Sequence, residues 1–279
     1  MIVVTGATGN VGRRVVQRLV AAGHDVRAIT RDPARAGLAP EVDVVAADLA
    51  DPETLRPHLH GVDAVFLIWP FVDAATTSQL APRVADVLAA AGSPRVVYVS
   101  AASAEADPGS FWAVVERAVI ASGLPWTMLR PTGIATNTLG WAPSIRAEGV
   151  VRWPYGAAAR SVVHEDDIAA VAVEALTTDR HDRQTYVLSG PETVSQAEQV
   201  HIIGGAIGRD LQWQDVPAQA VRPMLAAAMG SPAFADAALA GWAAFVDEPE
   251  QVTDDVAAVL GRPARTFSQW AADHVADFV

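Results

Sequence analysis

Through its first 130 residues the chain repeats one pattern, an apolar run of strand length followed by an amphipathic segment of helix length. The runs are IVVT, DVRAIT, VDVVAAD, DAVFLI, RVVYVS and WTMLR; between them lie segments such as GNVGRRVVQRLVAAG, TTSQLAPRVADVLAAAG and SFWAVVERAVIASG. Continuous apolar strands are buried on both faces, and parallel neighbours need helical crossovers, so the pattern predicts an α/β fold with a doubly wound parallel sheet. Past Arg130 the segments turn mostly helical, interrupted by GVVRWPYG, TYVLSG and LQWQDV. The expected division is therefore residues 1–130 as the sheet domain and 131–279 as a smaller part over the C-terminal edge of the sheet, where ligands of open α/β folds bind.

Composition narrows the partners. The formal charge of -12 over 279 residues opposes binding to a phosphate backbone, so no nucleic acid partner is expected. Cysteine is absent, which removes disulfides and thiolate metal sites, and histidines such as His58 and His60 fall in no ligand-like spacing, so no metal is expected. The longest apolar stretch, AVFLIWPFV, is too short for a bilayer and is broken by Pro70. Met1 leads directly into Ile2-Val3-Val4 without a basic leader, and the expectation is a cytoplasmic protein with no membrane partner.

The first strand runs into Gly6-Ala7-Thr8-Gly9-Asn10-Val11-Gly12 and then a helix. Glycines in that context allow a tight turn, a close approach of backbone to a pyrophosphate, and close packing of helix on strand, with the helix N-terminus facing the phosphates. A domain that prefers NAD usually places an acid at the end of the second strand, where it bonds the ribose hydroxyls. Here Thr30-Arg31 stands there, and a guanidinium can bond a 2′-phosphate in a forked geometry, with Arg35 a second candidate. Asp48 ends the third run, where a carboxylate can accept from the adenine amino group or cap the segment DPETLRPHL.

These motifs, with AADL, VVYVSAAS, ASGLPWTMLRPTG, VHEDDIAAVA and VTDDVAAVLGRPARTFSQWAADH, resemble the NmrA-like members of the atypical short-chain dehydrogenase/reductases. The resemblance implies a Rossmann-type NAD(P)-binding domain with a C-terminal substrate-binding part, and NADPH as cofactor. It places Gly6 and Thr8 to Gly12 at the pyrophosphate, Arg31 at the 2′-phosphate and Asp48-Leu49 at the adenine. Ile68, Trp69 and Pro70 would line the cofactor, and Ser100, Pro131 and Thr132 would lie near the nicotinamide.

One departure from the wider superfamily bears on chemistry. Its reductases commonly use a tyrosine acid with a lysine four residues later. Aligned on Glu116, Ser122-Gly123-Leu124 and Arg130-Pro131, those slots hold Pro108 and Trp112, and the chain has no lysine at all. Ser100 is left as the candidate for hydrogen bonding at the reacting centre. Trp112, Trp141, Trp153 and Tyr155 are candidate substrate walls, each also readable as core packing, and Asn137 is a candidate contact or a bond within its turn. His164 precedes a helix whose first turn holds Asp166 and Asp167, and packing or capping is its simpler reading.

Two functions fit. The first is an NADPH-dependent reductase of a small, largely apolar acceptor of quinone, enone or imine type, which can take up charge without a strong protein acid. The alternative is a non-catalytic dinucleotide sensor that acts through a protein partner, as regulatory members of the family do.

Overall fold

A computed structural model of the chain describes residues 1–92 and 94–279. They form two compact units: Met1–Pro131 with Glu165–Leu188 and Ala258–Gly261, and Thr132–His164 with Ser189–Ala257 and Arg262–Val279. The six apolar runs are all strands, β1 (Ile2–Val4), β2 (Val26–Thr30), β3 (Asp43–Ala46), β4 (Ala64–Ile68), β5 (Arg95–Val99) and β6 (Trp126–Pro131). Two short strands of the second unit follow, β7 (Val150–Trp153) and β8 (Ala159–Arg160), and then β9 (Gln184–Leu188) returns to the first sheet. That sheet is parallel throughout, in the order β3-β2-β1-β4-β5-β6-β9.

The expected cut at residue 130 falls one residue from the end of the first segment, but a single cut does not describe the chain. Glu165–Leu188 belongs to the first unit because Gln184–Leu188 pairs with Thr127–Pro131 along the open edge of β6. Main-chain groups at a strand edge need partners, and TYVLSG supplies them.

In the first unit, α1 (Asn10–Ala21) connects β1 to β2, whereas α2 (Ala74–Ala90) and α3 (Phe111–Ala121) connect β4 to β5 and β5 to β6. Right-handed crossovers running in opposite directions from the centre of the sheet put α1 on one face and the α2–α3 pair on the other. After α4 (Ala142–Glu148) of the second unit, α5 (Glu165–Thr177) packs against α1. Arg14 reaches Glu165 at 3.3 Å and Arg18 reaches Asp166 at 2.8 Å. The acids occupy the first turn of α5, as expected, where they also meet the positive end of the helix dipole. Strand order reverses between β1 and β4, the switch point at whose C-terminal ends open α/β sheets bind ligands.

The second unit pairs β8 with β10 (Val194–Ser195), antiparallel, and β7 with β11 (Gln212–Asp215), parallel. Its helices include α6 (Gln196–Ile207), opened by a Ser195–Glu198 capping box, and the mutually packed α7 (Ala218–Met229) and α8 (Pro232–Asp247). The core gathers Trp141, Ile145, Val200, Ile203, Trp270 and Phe278. Among the described residues no helix is long and apolar enough to cross a membrane.

Candidate functional site

The loop between β1 and α1 is built on unequal glycines. Gly6 adopts φ +60°, and Ile68 of β4 packs directly over it. At Gly12 a Cβ would lie 2.2 Å from the Gly6 carbonyl oxygen, so the helix can approach the loop only through glycine. Gly9 is different: it is exposed, its φ is -81°, and the nearest atom to an added Cβ is 3.3 Å away. Gly9 also heads α1 without a side-chain cap, leaving the N–H groups of the first turn to an outside acceptor. Thr8 and Asn10 flank it, exposed, while Val11 is buried as an anchor. A backbone cradle at a helix N-terminus, open where a side chain would intrude, fits a pyrophosphate.

Arg31 follows the last residue of β2 and is exposed, as is Arg35 in the single turn Pro33–Arg35. Neither has a carboxylate partner among the described residues. Arg13, in the first turn of α1, spans to the same loop: its guanidinium donates to the carbonyls of Gly37 at 2.9 Å and Ala36 at 3.2 Å. Asp48 is half-buried, and its carboxylate accepts from the Ala50 N–H at 2.9 Å. It does not cap DPETLRPHL; Asp51, the first residue of that segment, stands at the N-cap of a 3-10 helix over Pro52–His58, without a side-chain cap bond. Leu49 is buried behind it.

The ends of β4, β5 and β6 complete the edge in this unit. Thr5 Oγ1 accepts from the Ile68 N–H at 2.8 Å, tying β1 to the end of β4. Trp69 turns inward and donates its ring N–H to Thr77 on α2 at 3.0 Å, so its side chain packs rather than lines an opening, while Pro70 is exposed. Ser100, one residue beyond β5, is 3% exposed, and its hydroxyl has no partner among the described residues. An unpaired buried hydroxyl costs about 1–3 kcal/mol, and such a group at the carboxyl edge of a sheet fits a ligand that completes it.

Pro131 ends β6 and is buried. Below it Arg130 grips Glu116 of α3 with two bonds, 2.9 and 2.8 Å, and Glu105 at 3.2 Å. The Glu116 carboxylate raises the Arg130 guanidinium above its ordinary range. Tyr98 is fully buried on β5, where desolvation and then the Glu116 charge push its phenol up, which makes it a poorer acid. Pro108 is exposed, and Trp112 is half-buried with its ring 4.1 Å from that of Phe111.

The remaining candidates lie in the second unit. Thr132 donates its hydroxyl to the Ser161 carbonyl at 2.8 Å. Asn137 is exposed, with its N–H on the Ile134 carbonyl. Trp141 belongs to the core, edge-on to Trp213 at 5.7 Å, and core packing accounts for it. Trp153 is half-buried and tilts against Trp242 at 5.7 Å. Tyr155 carries φ +62°, a conformation costing about 1–3 kcal/mol that persists only where the surroundings over-determine it. They do: Gln196 donates to the carbonyls of Pro154 and Tyr155, and Asp215 accepts from the Gly156 N–H at 2.8 Å. His164 is buried with Nε2 3.3 Å from Asp273 and its ring 6.3 Å from that of His274, a packing place.

Arg13 is the functional candidate that reading the motif overlooked. Its signal was a cation in the first turn of a helix, against the dipole, immediately after the last glycine.

Comparison with known proteins places these features. Residues 6–179 match a family described as NAD(P)H-binding. Across its full length the chain is 38% identical to (4-alkanoyl-5-oxo-2,5-dihydrofuran-3-yl)methyl phosphate reductase of Streptomyces griseus, covering 99% of that protein. It is 36% identical to NAD(P)H azoreductase of Xenophilus azovorans, again covering all of this chain and 99% of the other. Among solved structures, the triphenylmethane reductase of Citrobacter sp. complexed with NADP(H) is similar in fold, with a TM-score of 0.80, 24% identity and coverage of 98% and 99% of the two chains.

Proposed function

Since the chain belongs to the NAD(P)H-binding family and is one of its oxidoreductases, we propose that it carries hydride from NADPH, in preference to NADH, to a small and largely apolar acceptor of quinone, enone or imine type. The observation that carries the reading is Gly9, a glycine of ordinary φ at the open, uncapped end of α1, where an added Cβ would press on the Gly6 carbonyl at 3.3 Å and crowd the approach to the first-turn N–H groups. Arg31, exposed and without a carboxylate partner among the described residues, supports the choice of the phosphorylated cofactor.

Residues Gly6 and Thr8 to Gly12 would hold the pyrophosphate, Arg31 the 2′-phosphate, and the Asp48-Leu49 segment the adenine. Ile68 and Pro70 would border the cofactor, with Ser100 and the Pro131-Thr132 step toward the nicotinamide. Bound NADPH supplies the hydride. Ser100 offers a buried hydroxyl that can donate to an oxygen or nitrogen gaining charge, and a donor fixed in a dry place is worth more than the same donor in water. No phenol or ammonium stands in the slots held by Pro108 and Trp112, so the acceptor itself must delocalise the charge or arrive protonated. The names of the relatives support a conjugated acceptor, an oxo-dihydrofuran ring in one and an azo group in the other, and the first of these also carries a methyl phosphate.

The test is steady-state oxidation of NADPH with a panel of quinones, enones and imines. Turnover with at least one and a lower Kd for NADPH than for NADH is expected. Charge-assisted bonds from Arg31 are worth about 1.5–3 kcal/mol, so Arg31→Ala should cost roughly tenfold or more of the preference. Cofactor binding without turnover on any acceptor would favour the sensor reading.

A further inference from the structure

The loop that carries Arg31 has little structure of its own. Between β2 and β3 it contains one 3-10 turn, Pro33–Arg35, and the internal bonds of its first part are long: Arg35 N–H to Asp32 O at 3.3 Å, Ala36 N–H to Pro33 O at 3.2 Å, and Asp32 N–H to Thr30 Oγ1 at 3.3 Å, whereas Val42 N–H meets Ala39 O at 3.0 Å near β3. The bonds that reach from this loop to α1 come from Arg13, which spans the carbonyls of Ala36 and Gly37. They land where the chain reverses, at buried Ala36 and at Gly37 with φ +56°.

Charge singles out the same residue. Arg14 and Arg18 on α1 answer Glu165 and Asp166. Among the described residues Arg13 answers main-chain carbonyls and no carboxylate, although a cation in the first turn opposes the helix dipole. Arg13, Arg31 and Arg35 thus gather about one loop with no carboxylate partner among the described residues, in a chain of net charge -12, and Asp32 and Glu41 are the acids of that loop.

We propose that Arg13 is a positioning residue for cofactor choice: its forked guanidinium fastens the 31–37 loop to the turn that cradles the pyrophosphate, and so holds Arg31 at the 2′-phosphate. The inference rests on the reading of Arg31 given above. Arg13 contributes through Arg31 rather than by meeting the phosphate: two of its five N–H donors hold the Ala36 and Gly37 carbonyls and fix the guanidinium on the loop.

A double-mutant cycle on the intact chain tests it, with Kd for NADPH and for NADH measured by fluorescence titration. Arg13→Ala is expected to weaken NADPH about threefold to tenfold while NADH stays within about twofold, and adding it to Arg31→Ala should bring no further loss of preference. A merely structural tether would weaken both cofactors alike or neither, and either result overturns the proposal. Additive loss in the double variant overturns it too, since Arg13 would then contact the phosphate. An unchanged preference in Arg31→Ala refutes the Arg31 reading, and an unchanged preference in Arg13→Ala with Arg31→Ala effective refutes this inference alone. Should Arg13→Ala not fold, Arg13→Gln, whose amide can hold one of the two carbonyls, carries the same comparison.

Discussion

At Gly12 a methyl group would stand 2.2 Å from a carbonyl oxygen, and at Gly9 the nearest atom is 3.3 Å away. The two positions should therefore fail differently. Gly12→Ala forces α1 off the loop and should lower the thermal midpoint by several degrees or abolish folding, read by circular dichroism. Gly9→Val should fold and lose dinucleotide binding, because a branched side chain fills the approach to the cradle; retained quenching of NADPH fluorescence in a folded Gly9→Val protein would show the loop to be only a turn. The motif and its ligand class were legible in the sequence, since strand, glycines and helix follow one another along the chain. The division of labour was not, because it depends on which glycine faces a carbonyl and which faces outward. Arg31 could be read for the same reason, being next to a strand end. Arg13 could not, since its partners lie more than twenty residues away in a loop without periodicity.

Six strands and their order of appearance could be read from apolar runs that carry no competing period; five of them are largely buried, whereas β3, at the sheet edge, is exposed at Asp43 and Ala46 and half-buried between, because it has a neighbour on one side only. The seventh was legible as TYVLSG but not its address: nothing in five residues says which sheet will need an edge covered. Just before it, His181 packs at the end of a 3-10 turn with Nδ1 2.9 Å from the Tyr186 hydroxyl, and burial lowers its pKa. A base held below its ordinary value binds fewer protons folded than unfolded. Its contribution is therefore present above the unfolded value of about 6.5 and is lost as pH falls through that value toward the folded one. The urea midpoint should drop more between pH 7.5 and 5.5 in the parent than in His181→Gln. Equal drops would mean that other groups govern the acid limb.

For the molecule as a whole, the missing tyrosine–lysine pair leads to an expectation about turnover. Tyr98 is buried with its phenol pushed up and Tyr186 is held by His181, so neither is offered as the acid, and Tyr155 is the tyrosine to test. Tyr155→Phe should keep most NADPH oxidation with the best acceptor found, whereas Trp112→Ala should lower it while leaving the Kd for NADPH in place. Near-total loss in Tyr155→Phe with cofactor still bound would reveal a relocated proton donor. The discontinuity of the first unit has a further consequence, for biosynthesis. A chain emerging from the ribosome completes β6 at Pro131, but the strand that covers its edge ends at Leu188, and the residues between include the opening segment of the other unit. Until that strand arrives, a nascent sheet presents a row of unpaired main-chain groups beside apolar Leu129 and Met128, a surface on which a second nascent copy or a chaperone could pair. Translation speed through residues 132–188 thus bears on yield, and slowing it there lengthens the time during which polysome neighbours can mispair.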